Sequence, residues 1–353
     1  MKKTKKMFLF IIGLFSVLLL LGACAEEQGT MQQQKPLQEG MAQQAQDSAD
    51  EDSDLPSWVP SISGNGPWKS NLWLATSSDG LTFTKDHMLV EHVGVPNLLF
   101  TSSRELIATY QYFSYETEEL FGVIAYSVSE DNGATWTDPV AVTIEGLPDP
   151  VTSGNAQERV FVTQAVDPTL VEIADGALRL YFTYQQADEE WPHPASALNT
   201  DVAITGTFVY EEASGLDSDE EAALLDPVVV YLDGLWHYYA WNVAQMGMGN
   251  EGPVTIDDFD NYHGISEDGV TFTLQDFITL DMNLLGQAVA LDDGIRFYGT
   301  GNGGAVSAFS LDGYTWEMED GVRLSGANDP GVAQLEDGTY VMIYTVPTSM
   351  PQN

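Results

Sequence analysis

Cysteine is almost missing from this chain: of its 353 residues only Cys24 is one. The domain beyond it therefore holds no disulfide, no cysteine–metal centre and no thiol nucleophile. Basic residues are scarce as well, 12 Lys and Arg against 53 Asp and Glu, for a formal net charge of −41. Four of those 12 lie within the first six residues, which leaves 8 basic against 53 acidic residues, net −45, in the rest. Such a chain is a poor partner for nucleic acid or anionic lipid headgroups. Its acids can attract cations or a cationic ligand, but their spread along the chain fits solubility in a salty habitat better. Helical periodicity is scarce too, and outside the first 24 residues there is no long apolar run.

The ends read separately from the middle. Lys2, Lys3, Lys5 and Lys6 precede an uncharged run from Met7 to Leu21, closed by Leu21-Gly22-Ala23-Cys24. Charged head, apolar middle and small-residue exit make a secretory signal. The closing four residues resemble a bacterial lipobox. That resemblance implies a lipoprotein signal peptide over residues 1–23, with Cys24 the lipidated mature N-terminus and the protein extracytoplasmic and membrane-anchored. Ala25 points to the outer membrane if the cell is Gram-negative; an ordinary signal or short anchor is the alternative. Residues 24–55 are rich in Gln, Glu, Asp and Ala, cannot build a core, and read as a disordered tether.

Residues 56–350 read as one all-β domain in which short Val-, Tyr-, Phe- and Thr-rich runs alternate with Asp-Gly turns. One phrase recurs four times: Ser77 to Phe83, Ser129 to Trp136, Ser266 to Phe272 and Ser310 to Trp316, each Ser-x-Asp-(x)-Gly-x-Thr and an aromatic. Asp caps the backbone two residues on and Gly takes a positive φ, the chemistry of a tight hairpin. A degenerate copy lies at Thr200 to Phe208. A second repeat is interleaved: Asp167-Pro168, Asp226-Pro227 and Asp329-Pro330 open strands that run to Asp-Gly turns, with weaker copies at Val95-Pro96-Asn97 and Gln287-Ala288. Two hairpins per unit and five units predict a five-bladed β-propeller of four-stranded antiparallel blades. The N-terminal strands from Asn71 to Met88 lack an inner hairpin and the C-terminal unit lacks an outer one, so the two complete one blade and close the ring.

This strand order gathers the short turns on one face and the long connections on the other, where the inner strands begin. Asp167, Asp226 and Asp329 converge there, with Asn97 and Gln287 near the corresponding places in the other two blades. Carboxylates crowded into one funnel divide acid and base roles. Asp-Pro also starts a propeller strand for purely structural reasons, and both readings stand.

Asp-Pro openings on three inner strands of a five-bladed ring resemble the glycoside hydrolases of the arabinanase, xylosidase and levansucrase kind, over roughly residues 68 to 350. The resemblance implies Asp329 or Asp167 as the base, Asp226 as the tuning acid and Glu251, in Glu251-Gly252-Pro253, as the proton donor. Glu251 departs from the pattern because it sits in a loop and not at an inner-strand start. The recurrent hairpin resembles the Asp-box of sialidases, a mark of fold and not of reaction. A sialidase would need three arginines around its substrate. Here Arg104 and Arg179 follow first-hairpin turns on the wrong face, and Val95-Pro96 stands where an Arg-Ile-Pro-like opening would be.

Trp191, His193, Trp241 and Tyr298 are candidates for sugar binding, with inter-blade packing the alternative for Trp241 and Tyr298. His237 reads as structural, and His263 has no metal-ligand partner at a recognisable spacing. No cofactor is implied. Calcium at Asp257-Asp258-Phe259-Asp260 or Asp217 to Glu221 would lack the spaced ligands and Gly of a calcium loop. The expected protein is a monomer that acts on, or only binds, a glycan.

Overall fold

The computed structural model describes residues 56–59, 66–149, 165–187, 192–201, 203–211, 216, 224–242 and 260–348. Five sheets make up these residues, and almost no helix does. Blade 1 runs Val93–Phe100, Leu106–Phe113, Phe121–Ser129, Val140–Ala141 from the inside outwards. In blade 2 the order is Val166–Glu172, Leu178–Tyr184, His193–Asn199, Thr207–Glu211, and the short strand Thr143–Glu145 then covers the outer edge in parallel. Blades 3 and 4 begin with the inner pairs Leu224–Leu232 with Leu235–Asn242, and Leu284–Leu291 with Gly294–Gly301.

Blade 5 joins the two ends of the domain, as the sequence predicts. Its inner strands are Asn328–Gln334 and Tyr340–Pro347, and Ser70–Ser77 pairs along the whole of the latter, with Thr84–Val90 outermost. The five innermost strands touch in a closed cycle, so the sheet array is a ring. Closure leaves no inner edge unpaired at the seam.

Each blade alternates its side chains, and both faces of the inner strands are apolar because each face meets a neighbouring blade. The buried apolar residues accordingly fall into five clusters, one per seam. Leu72, Leu106 and Ile343 lie between blades 5 and 1, for example, and Leu225, Trp241 and Phe297 between blades 3 and 4. A sixth, around Trp68, Phe113 and Phe121, seats the segment that enters blade 5.

The recurrent hairpins have the geometry their sequence demands. Ser77 Oγ donates to Asp79 (2.8 Å) and accepts from the Gly80 amide (3.0 Å), while the Leu81 and Thr82 amides donate to the same Asp79 oxygen. The copies at Ser129, Ser266 and Ser310 repeat this pattern. The degenerate copy closes too, with Asn199 bonded to Thr205 and to the Asp201 amide. Amides aimed at Asp79, Asp131 and Asp268, together with the Thr135 hydroxyl at Asp131, hold these exposed carboxyls down at about 2.

Candidate functional site at the propeller hub

Four of the five inner strands carry one irregularity in the same place. Register slips between Gly94 and Asn97, Val166 and Thr169, Leu225 and Val228, and Asn328 and Gly331. Each slip bulges out two residues, the second of them a proline. The first is held left-handed: φ is +47° at Val95, +56° at Asp167, +51° at Asp226 and +46° at Asp329. Such a bulge re-aims a side chain, and here it turns three carboxyls from three blades towards one another. A left-handed L-residue costs about 1–2 kcal/mol. Four in equivalent positions mark this as the strained part of the ring, where function is to be sought.

Blade 4 is the exception. Its slip, between Leu285 and Gln287, omits a single residue, Gly286. A Cβ there would lie 2.6 Å from the Pro330 carbonyl and 2.8 Å from that of Tyr298. Only glycine fits, and blade 4 gives the hub backbone in place of a side chain.

The carboxyls differ in surroundings. Asp167 is 1% exposed, and neither of its oxygens makes a hydrogen bond of ordinary geometry among the described residues. Burial pushes it up to about 6, with Thr183 and Asp226 close enough to draw it partway back. Asp329 is half-buried; its amide donates to Thr300 Oγ1 (2.9 Å) and its carboxyl accepts from Thr345 (3.3 Å). Burial takes it to about 6 as well, against the pull of Thr345. In Asp226, burial, then the negative charges of Asp167 and Asp329, raise the carboxyl well above the ordinary carboxylate range. The same residue type is thus held low in the recurrent hairpins and high at the hub. Among the described residues no three His, Cys, Asp or Glu side chains group closely enough to hold a metal ion.

Asn97 and Gln287 do not occupy the places expected of them. In blade 1 the position equivalent to the aspartates is Val95, and in blade 4 it is Gly286. Asn97 and Gln287 lie beyond the slip and stitch inner strands together. Gln287 accepts from the Leu98 and Val332 amides (2.9 and 3.0 Å) and donates to the Leu98 carbonyl (2.7 Å). Asn97 accepts from the Leu170 amide at 3.0 Å.

Tyr298 is buried in the seam between blades 4 and 5, donating to the Gly80 carbonyl (2.9 Å) on the face of the recurrent hairpins. Trp241 is packed into the cluster between blades 3 and 4. For both, inter-blade packing describes what the structure places there. His193 opens the third strand of blade 2, half-buried and opposite Tyr184. Trp191, Glu251, Cys24, Asp217 to Glu221 and Asp257 to Phe259 lie outside the described residues, while Asp260 opens the third strand of blade 3 and accepts from Thr279 (2.9 Å). Three residues were missed: Thr183, Thr300 and Thr345, near the inner ends of second strands. Their signal was faint, a Thr within a run of aromatics and β-branched residues, one register step from the Asp-Pro bulge.

The described arginines are committed elsewhere, which bears on a sialidase reading. Arg179 pairs with Glu211, Arg296 with Glu319 and Arg104 with Glu336, and Arg323 donates to the carbonyls of Asp320 and Gly321. None is aimed at the hub.

What fold and site define is a five-bladed β-propeller with a carboxylate hub. No family model matches the chain, and no curated protein does. Among solved structures it is similar to an α-L-arabinofuranosidase from Lactobacillus brevis, at 12% identity over 74% of this chain and 86% of that one, TM-score 0.49. A GH43 β-xylosidase/α-arabinofuranosidase from a compost microbial metagenome, in complex with xylotriose, is similar at 12% identity over 71% and 84%, TM-score 0.48. So is an N-acetylgalactosamine deacetylase from F. plautii, at 15% identity over 74% and 81%, TM-score 0.46. These values describe a distant likeness of chain path.

Proposed function

We propose that the protein is a glycoside hydrolase whose reaction is carried by the hub aspartates. The observation behind this reading is geometric: equivalent bulges in three blades turn Asp167, Asp226 and Asp329 towards the hub, where burial raises all three carboxyls. A proton donor and a base brought together at one site are what cleavage of a glycosidic bond requires. Asp226, whose proton the charges of Asp167 and Asp329 favour, gives it to the leaving oxygen. Asp329, oriented by Thr345, takes the proton of the attacking water. Asp167 keeps Asp226 protonated by its charge. These roles differ from those implied by resemblance alone, which made Asp226 the tuner and Glu251 the donor.

The address is part of the reading. A Cys24-linked lipid and the tether of residues 24–55 would hold the propeller outside the cytoplasm, where glycans are met. Cys24→Ser should release the protein from the membrane fraction.

The test is hydrolysis of a panel of aryl glycosides with arabino- and xylo-oligosaccharides. Asp226→Asn should lower kcat at least about 100-fold with binding retained, and Asp329→Asn should remove the acidic limb of the pH–rate profile. Unchanged kcat in Asp226→Asn would overturn its role. No turnover by the wild type, with oligosaccharide still bound, would make the propeller a binding module.

A further inference from the structure

Blade 1 breaks the pattern of the hub. At the position where blades 2, 3 and 5 hold aspartates, it holds Val95 in the same left-handed conformation, φ +47°, and likewise before a proline. Asp and Asn tolerate that conformation; for a β-branched residue it is an outlier. Any benefit from core packing would show as membership of a buried cluster, yet Val95 belongs to none of the six and is only half-buried. Register and φ direct its side chain as those of Asp167, Asp226 and Asp329 are directed. Blade 1 lies between blades 5 and 2, so Val95 stands between Asp329 and Asp167.

We propose that Val95 is a specificity-determining residue, the apolar wall of the hub against which a substrate presents C–H groups rather than hydroxyls. This rests on the hydrolase reading. A hydroxyl pressed on that wall would lose its hydration with no partner in return. The wall also keeps water from the two carboxyls it separates, which favours their high proton affinity. Conformational cost is accepted at this point because the side chain serves the cavity and not the fold.

Val95→Asn and Val95→Gly test it, since both residues accept a left-handed backbone. Both should melt several degrees above the wild type. On the best-hydrolysed glycoside of the panel, kcat/KM should fall about 10–100-fold, mainly through KM. Val95→Asn should shift preference towards sugars with an additional hydroxyl. Melting points equal to or below the wild type would overturn the claim that strain is held there. An unchanged order of preference across the panel would overturn the wall.

Failure of the hydrolase reading is told apart by the wild type itself. If it hydrolyses no member of the panel, calorimetric titration with xylotriose decides: weaker binding by both variants supports the wall. Equal binding, or none by any form, overturns it.

Discussion

The seams on either side of blade 3 are closed by different chemistry. Between blades 2 and 3, Arg179 on the second strand donates to both oxygens of Glu211 (2.8 and 3.2 Å) and to the Asp268 carbonyl of the next blade's Ser-x-Asp box (2.9 Å). Tyr181 donates to the Gly269 carbonyl of the same box. Blade 4 repeats the device on blade 5, with Arg296, Glu319 and Tyr298 reaching the box at Asp79 and Gly80. Between blades 3 and 4 the tyrosine persists, Tyr239 to Gly313 at 2.8 Å, but the ion pair is gone. Register matches His263 to Ser196 and Ser307, each opposite its blade's tyrosine. His237 stands where the arginines stand, and Gln275 takes the place of the glutamates.

The two histidines are buried and bonded to each other, His237 Nδ1 to His263 Nε2 at 3.0 Å. Tyr239 commits its proton to Gly313, so one imidazole donates to the other, which excludes a charge on both rings, and burial disfavours a charge on either. Asp312 and Asp233 lie near enough to favour a proton on His237, but burial outweighs them. His263 is lowered to about 4 by burial and then by His237. The lesson is that one fold position accepts either a permanent charge with its counter-ion or a neutral pair, and only the second responds to pH.

The largest effect should come from removing an arginine. Arg179→Ala strands Glu211 and the Asp268 carbonyl in a largely buried seam and should cost about 3 kcal/mol by urea unfolding at pH 7. A loss below about 0.5 kcal/mol would mean that the ion pair is an ornament of the seam.

A histidine effect of intermediate size follows from linkage. Unfolded imidazoles protonate near 6.5, the folded pair only at lower pH, so the contribution is whole above 6.5 and lost as pH falls towards 4. From pH 6.5 to 5 the wild type should lose about 2 kcal/mol that the graft His237→Arg, His263→Ser, Gln275→Glu does not. Equal losses in both proteins would break the contrast.

The smallest effect belongs to the hub, with the opposite sign. Asp167 binds its proton more tightly folded, at about 6, than the unfolded chain does near 3.8. Its stabilising contribution is present below 3.8 and lost as pH rises through about 6. Asp167→Asn should therefore gain about 1 kcal/mol of stability relative to the wild type between pH 5 and pH 8. Thermal unfolding at the two pH values measures it.

Much of this was legible in the chain. The Ser-x-Asp-x-Gly phrase sets a hairpin by local bonding alone, so four boxes and five blades could be counted without tertiary knowledge. Asp-Pro gave three of the four hub residues for the same reason, because the bulge is written into the dipeptide. Val95 was passed over because Val is an ordinary strand residue, and only its φ shows it to be out of place. Asn97 and Gln287 were misplaced by two residues and one, since a register slip leaves no mark in composition. The His237–His263 bond was invisible because it joins neighbouring strands 26 residues apart. Its nearest clue was the loss of Arg and Glu at matching places in the third unit.

Blade 5 takes its inner hairpin from residues 328–347 and its outer one from residues 70–90. A ribosome therefore delivers Asp329 after the other four inner strands have been made. Until that last hairpin docks, the hub has two acids and an open side, so any molecule able to do chemistry is also one that has finished folding. On the hydrolase reading, activity would double as a report of completeness, and a chain stalled or clipped before Asp329 would be silent.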